Sequence, residues 1–121
     1  MTDTNTETNE TEETENELEE LQQKLQELRE QEGIIGYILR GTKTASIDLK
    51  DPRKLIEYAV LSSTAFEESQ NMTKALQMGE PKKILLESED TKLLAMNVNN
   101  HRLSIFMEKT VNHDKLYKNL K

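Results

Sequence analysis

The apolar period of this 121-residue chain changes once, at Gly33, and that change limits what it can fold into. Upstream, Leu18, Leu21, Leu25 and Leu28 recur at spacings of three, four and three, with strong helix formers between them. That spacing predicts an amphipathic helix of about four turns. Downstream, Ile35, Tyr37 and Leu39 alternate with Ile34, Gly36 and Ile38, which predicts a strand buried on both faces. Gly33 stands between the two as the break.

The remaining elements follow from turn and cap signals. Arg40 to Lys43 forms a turn, and Ala45, Ile47 and Leu49 alternate with polar residues on a second strand, so the pair is expected to be a hairpin. Asp51 followed by Pro52 is a helix start, and the helix is predicted to run to about Gln77, before Gly79 and Pro81. Leu55, Ala59, Ser62, Phe66, Ser69 and Leu76 make one face of it, widened by Tyr58, Leu61, Ala65 and Met72. Ile56, Val60 and Ser63 form a separate flank, which is either solvent-exposed, as isolated surface apolars often are, or the side of a helix that also meets a second helix, from its own chain or a twin. Strands are expected at residues 82–88, 92–98 and 102–109, with turns at Glu89-Asp90-Thr91 and Asn99-Asn100. Asn112 caps a last short helix carrying Leu116 and Leu120 on one face. The fold class is therefore α+β, in the order α-ββ-α-βββ-α, with five antiparallel strands and helices on the faces of the sheet.

Charge divides the chain in the same region. Residues 1–32 carry twelve acids against Lys24 and Arg29, a net of −10, whereas the rest carries a net of +3. Residues 1–16 hold only Met, Thr, Asp, Asn and Glu, too little apolar surface to offset the entropy of ordering, and are expected to be a disordered acidic arm. A solvating tail is the simpler role for it, and a contact for a basic partner the sharper one. The domain is set at 17–121. The leucine stripe has two uses, packing on its own domain or pairing as a coiled coil. It spans only two heptads, and a parallel homodimer would place Lys24 at g and Arg29 at e, setting like charges opposite each other, which favours the first use.

Several chemistries are excluded by what is missing or misplaced. With no cysteine there is no disulfide, thiolate metal site or thiol nucleophile. The cluster Gly33, Gly36 and Gly41 suggests a phosphate loop, but Gly41 is followed by Thr42 where GxxxxGK[ST] needs lysine. Nor do these glycines link a strand to a helix, as a dinucleotide fingerprint requires. His101 and His113 lack partners at metal-ligand spacing, and both are expected on the surface. Glu67 and Glu68 are adjacent on a helix, pointing about 100° apart, so they are no acid/base couple. Ser62-Ser63-Thr64 has no nucleophile-elbow context. No basic stripe marks a nucleic-acid binder, and no apolar run is long enough for a membrane span. A cytoplasmic, non-enzymatic protein without a cofactor is expected.

Gly33-Ile-Ile-Gly36 opening a strand, a second strand ending in Asp48-Leu49, the long helix, and KKILLESED, TKLLAMNVNN and HRLSIFMEK before a short final helix together resemble the roadblock/LC7 (dynein light chain) family. The likeness covers residues 18–121. Its turn between the first two strands, Arg40 to Lys43, is shorter than the family often has. The resemblance implies a profilin-like architecture and a dimer, with itself or a paralogous roadblock chain, through the third strand and the long helix. The implied interface residues are Ile56, Val60, Ser63, Lys83, Leu85 and Glu87. It further implies a non-catalytic regulator or scaffold of a Ras-like small GTPase, contacted through Glu67, Glu68, Asn71 and Lys74. A body of about 90 residues buries only about two-thirds of its surface alone, which independently favours an oligomer. The competing reading is a small-molecule sensor of the PAS or profilin-like kind, which needs a pocket between sheet and helix.

Overall fold

The computed structural model describes residues 17–42, 45–98 and 100–120, so the expectation for the acidic arm lies outside the described residues. Residues 17–29 form helix α1. Gly33, at φ +88°, reverses the chain into β1 (Ile34–Arg40), which pairs antiparallel with β2 (Ala45–Leu49). A 3-10 turn at Pro52–Lys54 leads into α2 (Leu55–Ala75), followed by β3 (Lys83–Glu87), β4 (Thr91–Val98), β5 (His101–Glu108) and α3 (His113–Leu120). The sheet order is β2-β1-β5-β4-β3, with every neighbouring pair antiparallel. The predicted order of elements is therefore present. β2 and β3 are the sheet's two edges.

Caps account for the helix ends. The Asp51 carboxylate accepts from the Arg53 amide at 3.1 Å and from Arg53 Nε at 3.0 Å, so the start read from Asp-Pro is built as expected. The first turn is 3-10, so the α-helix proper begins three residues later than predicted. It also ends earlier, because the reversal begins at Gln77, φ 56°, ahead of Gly79 at φ +82°. Asn112 Oδ1 accepts from the Lys115 amide at 3.1 Å at the start of α3.

The sheet carries unequal cores on its two faces. On one face α1 and α3 cover Tyr37, Leu39, Leu94, Met96, Leu103, Ile105 and Met107, and Leu21, Leu25 and Leu28 are buried there. The leucine stripe is thus spent on its own domain. On the other face α2 covers a much smaller cluster centred on Ile38, Ala65, Leu93 and Phe106. Its buried residues are only Ser62, Ala65 and Phe66, which corrects the wide apolar face expected of it. The reason is direction and length. Tyr58 stacks on Phe106 with ring centroids 4.3 Å apart, and the Arg102 guanidinium lies 5.3 Å from the Phe66 ring, so α2 runs back along β5. Arg102 is the second residue of β5, and the helix continues for nine residues past Phe66. That last stretch overshoots the strand and leaves Met72 and Leu76 exposed.

At Gly36 β1 and β2 leave no room for a side chain: a Cβ there would run into the Asp48 carbonyl oxygen. The opening glycine cluster thus serves the chain reversal and the hairpin.

Candidate functional site

The open surfaces of this molecule are the two sheet edges and the two flanks of α2 that look toward them. One flank is fixed by Ser63, whose hydroxyl accepts from Arg40 Nη1 of β1 at 3.2 Å. Ile56, Val60 and Glu67 lie at i−7, i−3 and i+4 from Ser63, so this stripe runs on the β1–β2 side. The other flank is fixed by Ala65, which packs with Leu93 of β4. Leu61, Met72 and Leu76 lie at i−4, i+7 and i+11 from it, on the β4–β3 side. The three are 44, 63 and 66 % exposed, and Leu86 of β3, on the same sheet face, is 43 % exposed.

The edge strand β3 separates side chain from backbone in a useful way. Ser88 donates its amide to the Thr91 carbonyl at 2.9 Å, which fixes the alternation of the β3–β4 ladder. The backbone groups of Glu87, Leu85 and Lys83 consequently point to the open edge. Their side chains share the α1–α3 face. There Lys83 lies 3.8 Å from the Asp114 carboxylate and 4.5 Å from the centroid of the Tyr117 ring. The structure therefore does not bring Ile56, Val60 and Ser63 together with Lys83, Leu85 and Glu87. They stand on opposite faces of the sheet, and the helix residues look toward the opposite edge. Leu61 and Leu86 adjoin the β3 edge, and Met72 and Leu76 continue the Leu61 flank beyond the level of that strand's first residue; sequence reasoning did not place them there. Their signal was present in the periodicity of α2, but it was read as buried face. Glu67, Glu68, Asn71 and Lys74 are all exposed on α2. Asn71 and Lys74 also line an open concavity of about 590 Å³ with Gln70, Thr73, Gln77 and Glu80.

Elsewhere, polar groups are paired locally. Lys92 is buried, and its ammonium donates to the Val111 carbonyl and to His113 Nδ1, the latter at 2.9 Å. His113 and His101 are half-buried, not surface residues. Arg29 Nε contacts Asp48 Oδ1 at 3.1 Å beside Tyr37. Burial pushes the Tyr37 phenol above its ordinary 10.0; the Asp48 charge adds to this and Arg29 offsets part of it. The Asp51 carboxyl is held below 3.8, chiefly by the Arg53 side chain and then by the Arg53 amide. Among the described residues, no group of three His, Asp or Glu is placed to hold a metal ion. The cleft between α2 and the sheet, open on the β2 side, measures about 30 Å³, room for one water molecule.

A solved Roadblock/LC7 domain from Streptomyces avermitilis superposes on this chain with a TM-score of 0.61, covering 73% of this chain and 77% of that one at 13% identity. The fold is shared with a Roadblock/LC7 domain. No protein-family model matches the sequence, and no curated protein does. A Roadblock/LC7-type sheet with its long helix on one face is thus reached here by a sequence that shares about one residue in eight with that structure. Among the described residues, no helix is long and apolar enough to cross a membrane.

Proposed function

We propose that the chain is a non-catalytic, cytoplasmic adaptor that dimerises through the β3 edge. Its twin, or a paralogous roadblock chain, adds β3 to β3, and the two α2 helices lie side by side on their Leu61–Met72–Leu76 flanks. A Ras-like small GTPase sits on the outer face of the paired helices, near Glu67, Glu68, Asn71 and Lys74. The observation that carries the reading is the exposure of Leu61 and Leu86 beside an open strand edge, with Met72 and Leu76 extending the same exposed flank of α2. Exposed apolar groups grouped at one edge mark an interaction surface, and isolated ones do not. The small core beneath α2 supports it too, since a helix held by so little apolar contact gains from a partner on its free flank.

The sensor reading needs a pocket of roughly 300–1,000 Å³ between sheet and helix, where the cleft holds about one water; the concavity of about 590 Å³ lies instead at the C-terminal end of α2 and is lined by polar residues and Gly79. Light scattering tests the dimer: the expected mass is twice the 14.0 kDa of the chain. Leu86→Asp should return it to the single-chain mass without unfolding it, since that side chain is already partly in water. A parent protein that stays at the single-chain mass at micromolar concentration would refute the dimer. For the GTPase, the immobilised protein is exposed to native extract with and without added nucleotide, and captured proteins are identified by mass spectrometry. Nucleotide-dependent recovery of a Ras-like GTPase is expected. A purified protein that instead carries a bound metabolite would favour the sensor.

A further inference from the structure

The far edge of the sheet carries a second open surface, unrelated to the β3 edge. Lys50 donates its amide to the Ile35 carbonyl at 3.0 Å, opposite it in the β1–β2 ladder. By alternation Asp48 and Ser46 also turn their backbone groups to β1, while Leu49, Ile47 and Ala45 turn theirs to the open edge. The side chains of Leu49, Ile47 and Ala45 share the α2 face, because they lie opposite Gly36, Ile38 and Arg40. Between β2 and α2 lies the same small cleft of about 30 Å³, whose apolar walls are Ile38, Ala45, Ile47, Ala59 and Phe66 and whose polar ones are Ser62, Ser63 and two arginines; its outer rim forms an open groove. Ile47 is 45 % exposed, and Val60 and Ile56 on the facing flank of α2 are 60 and 77 % exposed.

At one end of this groove stand two arginines. Arg40 and Arg102 are direct cross-strand partners on β1 and β5, and both line the groove. Like charges set opposite each other in a sheet are destabilising unless something neutralises them. Arg102 lies over the Phe66 ring, and Arg40 donates to the Ser63 hydroxyl. Among the described residues, no carboxylate lies within ion-pair distance of either. Each guanidinium offers five N–H donors in a fork suited to carboxylate, and both residues are exposed, so most of those donors face solvent and are accessible to a partner.

We infer that this groove binds an extended peptide segment that adds to β2 as an antiparallel sixth strand, with two apolar side chains over Ile47 and Leu49 and a carboxylate directed to Arg40. The geometry sets the order. A residue placed opposite Ala45 lies two strand spacings, about 10 Å, from the Arg40 Cα. Two extended side chains span that gap, and the small side chain of Ala45 leaves it open. The segment therefore reads apolar-x-apolar-x-acid from the Leu49 end. The chain's own acidic arm does not fit this pattern, since Met1 is the single apolar residue among residues 1–16. The occupant is a segment of another protein. β2 and β3 are opposite edges of the sheet, so this inference stands whether or not the chain dimerises.

The test is an NMR titration of the isotopically labelled full chain with the capped heptapeptide Thr-Val-Lys-Val-Thr-Glu-Thr. Amide shifts confined to Ala45, Ile47 and Leu49, with a shift of Arg40 Nε, are expected. A peptide with Gln in place of Glu should bind about fivefold to tenfold more weakly, the loss of one charge-assisted contact. Arg40→Gln should abolish that Glu/Gln difference while its other amide resonances stay in place. Ile47→Lys should remove binding of both peptides. No shift at β2, shifts centred on β3, or equal binding of the Glu and Gln peptides would overturn the inference. So would movement of the β2 resonances on converting Asp3, Glu7, Glu10, Glu12, Glu13 and Glu15 to their amides, because the arm would then be the occupant.

Discussion

Replacing Gly36 by alanine tests how closely the hairpin is packed. The added Cβ would lie 2.4 Å from the Asp48 carbonyl oxygen, 2.6 Å from Leu49 Cδ2 and 2.8 Å from Leu49 Cα. Two of those three are backbone atoms, so no side-chain rotation relieves them. An ordinary contact begins near 3.4 Å, which means β2 must recede from β1 by about 1 Å. Overpacking of this kind costs about 1–3 kcal/mol. Alanine recovers about 0.5–1 kcal/mol of the backbone entropy that glycine loses on folding. The net is about 1–2 kcal/mol of destabilisation, which for a domain of this size lowers Tm by roughly 5–15 °C. Thermal melting followed by circular dichroism measures it. Hydrogen exchange locates it, since the Lys50 amide, bonded to the Ile35 carbonyl, should lose protection first. Gly79→Ala is the control: unlike Gly36 it sits at positive φ, and it has open space around it, so strain acts there without a clash and the hairpin amides keep their protection. An unchanged melting temperature for Gly36→Ala, with Lys50 still protected, would refute the packing argument.

Two further predictions concern polar groups inside the fold. Ser62 Oγ and Ser104 Oγ are 2.5 Å apart and buried, so either single change to alanine leaves the other hydroxyl unpaired and should cost about 1–3 kcal/mol. The double change should cost less than the sum, read from urea unfolding as a coupling in a double-mutant cycle; additive losses would show that the two hydroxyls do not interact. The raised phenol of Tyr37 makes stability depend on alkaline pH. The unfolded chain ionises at about 10, before the folded one, so the contribution is complete below that pH and is lost as pH rises through the higher folded value. Denaturation midpoints across pH 9–11 should fall for the parent and fall less for Tyr37→Phe; parallel curves would refute the assignment.

Much of the fold was legible because local rules and tertiary packing agree. The three-four-three leucine spacing, the alternation after Gly33, Asp51-Pro52 and Asn112 each act over a few residues, and each is found where the sequence places it. The candidate interaction site was less legible. Periodicity divides α2 into apolar and polar stripes, but a stripe does not say whether sheet, partner or water lies against it. Leu61, Met72 and Leu76 follow the same period as Ala65, yet Ala65 is buried and they are exposed. What separates them is the axis of α2 along β5 and its overshoot beyond that strand's end.

The sequence by itself determined the elements, their order and the class of the fold, because helix period, strand period and capping are properties of neighbours along the chain. It also determined the charge asymmetry, which needs no fold. Tertiary structure alone decided the strand order β2-β1-β5-β4-β3, and with it which strands became edges. It alone set Arg40 beside Arg102, 62 positions apart in the chain, and buried Lys92 against His113. Those juxtapositions arise from pairing across long loops, where the hydrophobic pattern selects the register and no local signal records the neighbour.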